Sequence, residues 1–243
     1  MKAKITAAQI LSSIFFLTAS LAFTQDKSNA QTTFHPISHA SFIIQSGKFT
    51  IYVDPVGEIA TYKDLDKPNI LLITHTHHDH LDEKVVKFLQ QKNTTILGPQ
   101  SVIDQLGFGQ VINNGETHIN DLNNVTIEAI PMYNTTKERL NFHKKGEGNG
   151  YIVTVNDKRI YISGDTEDIP EMRSLKNIDH AFICMNLPYT MTAEQAADAV
   201  LEFKPKNVYP YHYRTQDGMS DINKFKELVS ENTEITVKSL KWY

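Results

Sequence analysis

Cysteine is almost missing from this chain. Cys184 is alone among 243 residues, so no intramolecular disulfide can form, and a lipoprotein-type leader, which needs a cysteine at its cleavage point, is not expected. Cys184 falls in the apolar run Ala181-Phe182-Ile183-Cys184-Met185, where a buried, inert thiol is expected. Excess positive charge is missing too. A net charge of −4 argues against a general binder of nucleic acid or anionic membrane, which would be basic. Low-complexity tracts are absent, and 11 glycines with 9 prolines are ordinary usage, so nothing marks a linker that would split the chain. What is there, at 40% hydrophobic and 21% charged, suits one sizeable globular domain.

The first thirty residues stand apart from that domain. Lys2 and Lys4 make a short positive start, and Ile5 to Phe23 is mostly apolar with small residues around Ser20 and Ala22. This reads as a secretory signal peptide over 1–22, with Ser28-Asn29-Ala30 as an alternative, later cleavage point. An uncleaved membrane anchor is the competing reading, because the stretch is nearly long enough to span a bilayer. Gln9, Ser12, Ser13 and Thr18 dilute it, which favours cleavage and no stable membrane anchor afterwards. The expectation is therefore a periplasmic or secreted protein whose domain spans 31–243.

Along that domain, short apolar runs alternate with helical patterns. Ser41 to Gln45 and Phe49 to Val53 read as a hairpin around Ser46-Gly47-Lys48. Asn69 to Thr74 reads as a buried strand, and Asp82 to Gln91 as a helix with Asp82 at its N-cap. Further strands are expected at Thr95–Leu97, Val125–Ile130, Tyr151–Val155 and Arg159–Ser163, with a long polar, glycine-containing loop between Pro131 and Gly150. The last third alternates: strand Ala181–Met185, helix Thr192–Phe203, strand Asn207–Tyr211, helix Ile222–Ser230, strand Ile235–Leu240. A weak internal echo links Lys48–Pro55 with Lys158–Asp165, each an apolar strand ending at an aspartate in a turn. The pattern predicts two sheets packed face to face with helices outside, and ligands at the strand ends where loops gather.

The chemistry concentrates in Thr74-His75-Thr76-His77-His78-Asp79-His80-Leu81-Asp82, which holds four of the ten histidines. Neutral imidazoles suit borderline metals, and the aspartate adds a hard oxygen. In a tight turn His75 and His77 can point one way while Asp79 and His80 point another, which suits two adjacent metals better than one. A solvated polar loop is the bland alternative. Asp165 and His212 each follow an apolar strand, and His143 lies in the polar loop. Singly each would be a capping or structural residue. Together they supply the bridging carboxylate and the further histidines that a dinuclear site needs.

His75-x-His77-x-Asp79-His80 matches the HxHxDH signature of the metallo-β-lactamase superfamily, and the chain resembles that superfamily from about Phe34 to Lys238. Within it the chain looks like the subgroup that includes L-ascorbate-6-phosphate lactonase. His39-Ala40-Ser41-Phe42, Val53-Asp54-Pro55, Gly164-Asp165-Thr166, Pro188-Tyr189-Thr190-Met191 and Pro210-Tyr211-His212 carry that likeness. The resemblance implies an α+β fold, a four-layer αββα sandwich with the site at one edge of the sheets. It implies that His75 and His77 bind a first metal, that Asp79, His80 and His212 bind a second, and that Asp165 bridges. His143 is the candidate third ligand of the first metal, with His118 or a water as fallback. Zinc is the first choice of ion, with manganese and iron as alternatives.

Asp79 and His39 are the catalytic candidates. His39 reads as a hydrogen-bond partner or proton donor facing the metals, or as a packed histidine at a strand start. Asp54 is expected to orient a ligating histidine or to cap its turn, and His78 to face away. Two metals would lower the pKa of a shared water from near 15.7 towards roughly 7, giving hydrolysis of an ester, lactone or phosphoester in a small molecule. Lys144, Lys145 and Arg214 are candidates to hold an anionic group, and Tyr133, Asn134, Tyr189 and Tyr211 to line the pocket. β-Lactam cleavage is disfavoured, because metallo-β-lactamases generally lack a bridging carboxylate at the Asp165 position. The alternatives are an iron-dependent oxidoreductase on the same scaffold and a non-catalytic metal- or ligand-binding protein. The sequence leaves the oligomeric state open.

Overall fold

Residues 31–243 are described by a computed structural model of the chain; the leader expected at 1–22, or as far as 30, lies outside them. The first of two large sheets contains, in spatial order, β1 (Thr32–Ser38), β2 (Ser41–Ser46), β3 (Phe49–Val53), β4 (Ile70–Leu72), β5 (Thr95–Gly98) and β6 (Gln110–Val111). The second is built from β7 (Thr117–Asn120), β8 (Val125–Met132), β9 (Gly148–Val155), β10 (Lys158–Ile162), β11 (His180–Ile183) and β12 (Asn207–Pro210). A small separate hairpin follows, β13 (Arg214–Thr215) with β14 (Gly218–Met219), and then β15 (Thr236–Val237) adds to the second sheet beyond β12.

Each sheet changes direction partway. β1, β2 and β3 pair antiparallel and β3 to β6 parallel. β7 to β10 pair antiparallel, whereas β10, β11, β12 and β15 pair parallel. β3 and β10 thus hold equivalent positions, antiparallel to one neighbour and parallel to the other. They are the two strands of the internal echo, and each runs into an aspartate, Asp54 and Asp165. Ligands in such sheets gather beyond the carboxyl ends of parallel strands.

The strand period of two sorts side chains between faces. Phe42, Ile44, Ile51, Val53, Ile70 and Leu72 join the core shared with the second sheet, where Phe42 stacks on Phe182 with centroids 4.4 Å apart. The intervening Ile43, Tyr52, Leu71 and Ile73 face outward and are covered by α1 (Glu83–Leu89) and α2 (Gln100–Leu106) through Val85, Val86, Leu89, Val102 and Leu106. On the second sheet, α3 (Pro170–Arg173), α4 (Ala193–Phe203) and α5 (Ile222–Val229) supply Met172, Ala196, Val200, Phe203, Phe225 and Val229. Tyr161 of β10 meets Phe203 of α4 edge to face. Helix, sheet, sheet and helix make the α+β four-layer sandwich that the sequence leads one to expect. Among the described residues no helix is long and apolar enough to cross a membrane.

Two expectations need correction. The loop between Pro131 and Gly150 is shorter, because β8 runs on to Met132 and β9 already begins at Gly148. Gly148 marks close approach rather than a turn: a Cβ there would lie 2.7 Å from Met132 Cε and 3.1 Å from the Cβ of His75. The strand expected over Ile235–Leu240 contracts to Thr236–Val237. β1, α2, β6, β7, α3 and the hairpin of β13 and β14 are additional elements that the sequence reading does not include. Asp82 does cap α1, accepting from the Lys84 and Val85 backbone N–H groups.

Candidate metal centre

Strand ends from both sheets meet at one edge of the sandwich. His75 to His80 follow β4, Asp165 follows β10, Asn186 follows β11 and His212 follows β12, while His143 comes from the loop joining β8 to β9. The two sheets are tied together here. The Asn149 N–H donates to the Thr74 carbonyl at 2.9 Å, and the Tyr151 hydroxyl donates to the Ile73 carbonyl at 2.6 Å. Gly164, at φ +62° with Met132 Sδ only 2.6 Å from where a Cβ would sit, lets the chain turn so that Asp165 enters the centre.

The sequence candidates fall into three groups, and within each the ligand atoms lie within 4.8 Å of one another: His75, His77 and His143; His39, Asp79 and His212; His75, His80 and Asp165, the first and last sharing His75. Asp165 is central. Its Oδ1 lies 3.3 Å from both His80 Nε2 and His212 Nε2, and its Oδ2 lies 3.4 Å from His143 Nε2. His212 Nε2 is 3.5 Å from Asp79 Oδ2. His118, the fallback ligand, sits instead on β7 opposite Ile127 and belongs to none of these groups.

Three of the rings, those of His75, His80 and His143, are oriented from behind. Asp54, fully buried, accepts from the Thr74 N–H and the Thr74 hydroxyl, both at 2.7 Å, and from His80 Nδ1 at 2.7 Å. With its own proton given to Asp54, the Thr74 hydroxyl is left to accept from His75 Nδ1 at 2.9 Å. His143 Nδ1 faces the Tyr189 carbonyl at 3.2 Å. An Nδ1–H held on an acceptor leaves Nε2 as the free nitrogen, so these histidines all offer Nε2 to the same space. Consistent with that, His80 Nε2, His143 Nε2 and Asp165 Oδ1 are buried and have no hydrogen-bond partner among the described residues. Buried polar atoms are rarely left so, and a cation among them would satisfy all of these acceptors at once. The donor set, imidazole nitrogens with carboxylate oxygens, is that of a borderline divalent ion. His39, Asp54 and His212 adopt left-handed φ of +57°, +44° and +44°, a strained state for non-glycine residues that clusters at functional sites.

Electrostatics agrees with the geometry. Burial, reinforced by neighbouring imidazoles, holds His75 well below the usual histidine range and lowers His77, so both are neutral at pH 7, the form that can donate to a metal. Burial opposes charge on His80 and on Asp165, yet their mutual attraction wins. Asp165 and Asp54 raise His80 well above the histidine range, and His212 and His80 hold Asp165 well below the carboxylate range. A cation would replace the His80 proton between these two carboxylates. Burial first, then the charges of His212 and Arg214, bring His39 down to about 4, with Asp79 opposing.

A cleft of about 400 Å³ opens over this cluster, lined by His39, His77, Asp79, His143, Asp165 and His212 and walled by Phe142, Tyr189, Asn186 and Arg214. His78, expected to face away, also lines it. Of the aromatic and amide candidates only Tyr189 does; Tyr211 is packed in the core, and Asn134 lies beneath His143, donating to the Tyr189 carbonyl at 2.7 Å. Lys144 and Lys145 pair with Glu147 and Glu171 away from the cleft. Burial pushes the Cys184 thiol up to about 12, as an inert core cysteine requires. Asn186, which the sequence reading passes over, approaches His212 Nε2 with its amide nitrogen at 3.2 Å. Its one sequence signal is its place after an apolar strand.

The family model described as beta-lactamase superfamily domain matches residues 33–212. A solved structure from Parabacteroides distasonis, provisionally named a metal-dependent hydrolase, is 41% identical, with a TM-score of 0.80 over 88% of this chain and 94% of that one. A UPF0173 metal-dependent hydrolase of Pyrococcus abyssi is 28% identical over 83% of this chain and 93% of its own length. The structure of Igni18, a metallo hydrolase of Ignicoccus hospitalis, superposes with a TM-score of 0.73 at 23% identity, covering 86% of this chain and 95% of that chain. At that identity the likeness speaks for the fold alone.

Proposed function

The chain belongs to the β-lactamase superfamily, and we propose that it is a metal-dependent hydrolase with two divalent ions in the cleft, acting on an ester, lactone or phosphoester bond of a small molecule. The observation that carries this reading is the convergence of buried, partnerless Nε2 and carboxylate atoms on Asp165. His75, His77 and His143 would hold one ion. Asp79 and His212, with His80 or His39, would hold the other, and Asp165 stands between the sets. Zinc fits this donor set first, with manganese or iron as alternatives. When bound, such ions supply hydroxide at neutral pH and polarise the substrate oxygen.

The remaining work falls to the chain. Asp54 and Thr74 fix the rings of His75 and His80, the Tyr189 carbonyl faces His143 from behind, and Asn186 adds an amide at the cleft wall 3.2 Å from His212 Nε2. His39, partly buried beside Asp79 and His212, is placed either to complete the second ligand set or to exchange a proton with the leaving group. Cys184 takes no part. Export to the periplasm or medium remains our reading of the first residues, and rests on their composition alone.

Metal analysis of protein purified without added metal or chelator tests the proposal, together with turnover of p-nitrophenyl esters, lactones and phosphoesters. About two ions per chain and chelator-sensitive hydrolysis are expected. A single iron with no hydrolysis would replace the hydrolase reading with an oxidoreductase. No metal, with none taken up on titration, would remove both.

A further inference from the structure

The chain has four arginines, and three of them are matched with carboxylates: Arg139 with Glu167, Arg159 with Glu128, and Arg173 with Asp168, Asp198 and Glu202. Arg214 has no carboxylate partner among the described residues. Its guanidinium carbon lies instead 4.5 Å from the centroid of the Tyr243 ring. That ring is braced edge-on by Tyr213 at 5.1 Å and reaches to 5.7 Å from His39. Arg214 opens β13 two residues after His212 and forms part of the cleft wall. A guanidinium resting on a ring by its face keeps its N–H donors free at its edge, in the fork that matches a carboxylate or phosphate. Held on Tyr243, it also loses less side-chain freedom on binding.

The rest of the cleft fits the same ligand. Lys144 and Lys145 are committed elsewhere, so Arg214 is the permanent cation among the lining residues. Asp79 and Asp165 would be more than neutralised by two divalent ions, leaving a positive cleft. Phe142 and Tyr189, packed edge to face at 5.1 Å, give an apolar wall. We infer that Arg214 is a specificity-determining residue that receives a second, non-reacting anionic group of the substrate, a carboxylate or a phosphate. The preferred substrates are therefore small hydrolysable compounds that carry negative charge away from the scissile bond. The inference rests on the hydrolase reading for where the reacting end sits.

Binding separates the two. Calorimetry on the metal-loaded full chain would compare α,ω-dicarboxylates from succinate to adipate, and 3-phosphonopropionate, with monocarboxylates of matching length. One end occupies the metal centre and the other tests Arg214. The dianions should bind at least about tenfold more tightly, as a charge-assisted hydrogen bond provides, and whichever of carboxylate and phosphonate binds tighter identifies the anion favoured. That preference should collapse to within about twofold in Arg214→Met and survive in part in Arg214→Lys, with metal content unchanged. Equal binding of mono- and dianions by the wild type, or a preference that persists in Arg214→Met, overturns the inference. The expected preference in a protein that turns over no ester or phosphoester would overturn the hydrolase reading and leave the anion site standing.

Discussion

Asp54 lines no part of the cleft, yet three donors fill its two oxygens. Asp54→Asn would bring an amide N–H₂ against one of those donors and free the ring of His80. We expect metal affinity to fall about 10–100-fold, the usual effect of losing an orienting partner, with the fold intact; competition with a chromophoric chelator measures it. Asp165→Ala removes the carboxylate that lies 3.3–3.4 Å from the Nε2 atoms of His80, His143 and His212. Metal content should drop from about two ions per chain and hydrolysis should be lost, while circular dichroism stays native. Full activity in that variant would remove Asp165 from the centre. At this scale the motif residues are legible because their spacing alone carries the signal. Asn186, Thr74 and the backing of His143 are not, since each acquires meaning only from a partner that folding brings close.

Among the elements, the loop between β8 and β9 depends on Glu167. This buried carboxylate accepts from the Thr135 N–H at 2.7 Å, the Thr136 N–H at 2.6 Å and Arg139 Nη1 at 2.5 Å, and so fixes the segment that carries His143. Burial pushes its pKa up, but these donors win and hold it at about 2, against an ordinary 4.5. Its folded-state value is depressed, so its stabilisation is complete above about pH 4.5 and fades as pH falls towards 2. Glu167→Gln should therefore be destabilised by about 1–3 kcal/mol near neutrality. The gap from wild type should close over that acid range in unfolding curves recorded against pH; a gap independent of pH would count against the assignment. α4 offers a simpler case. Its Thr192 and Gln195 form a reciprocal capping box, and Thr192→Ala should cost about 1 kcal/mol in urea unfolding. Elements such as α4, β3 and β10 are readable from period and punctuation. β1 and β7 are not, because neither contains a fully buried residue and Ile119 of β7 points to solvent. Gly148 misleads for another reason: closeness to His75 mimics a turn signal.

For the molecule as a whole, an ion held by both sheets binds only the folded state. Removing it with a chelator should lower the unfolding temperature. Saturation at about a hundred times Kd contributes about 2.7 kcal/mol, or roughly 5–10 °C for a domain of this size; calorimetry with and without added zinc checks it. The layer order follows from the sequence, since strand and helix runs alternate in both halves. The equivalence of β3 and β10 shows only as a faint echo, because pairing direction is not written in side chains.

That equivalence has a consequence for how the protein matures. Every candidate ligand group draws two residues from the amino-terminal sheet and its loops and one from the carboxyl-terminal sheet: His75 and His77 with His143, His39 and Asp79 with His212, His75 and His80 with Asp165. Neither half alone can close a coordination set. With ions bound as proposed, occupancy would work as a coincidence detector, complete only when the late-synthesised half has docked on the early one. A nascent or clipped chain would hold at most a partial set, and would lack the hydroxide that such a centre supplies.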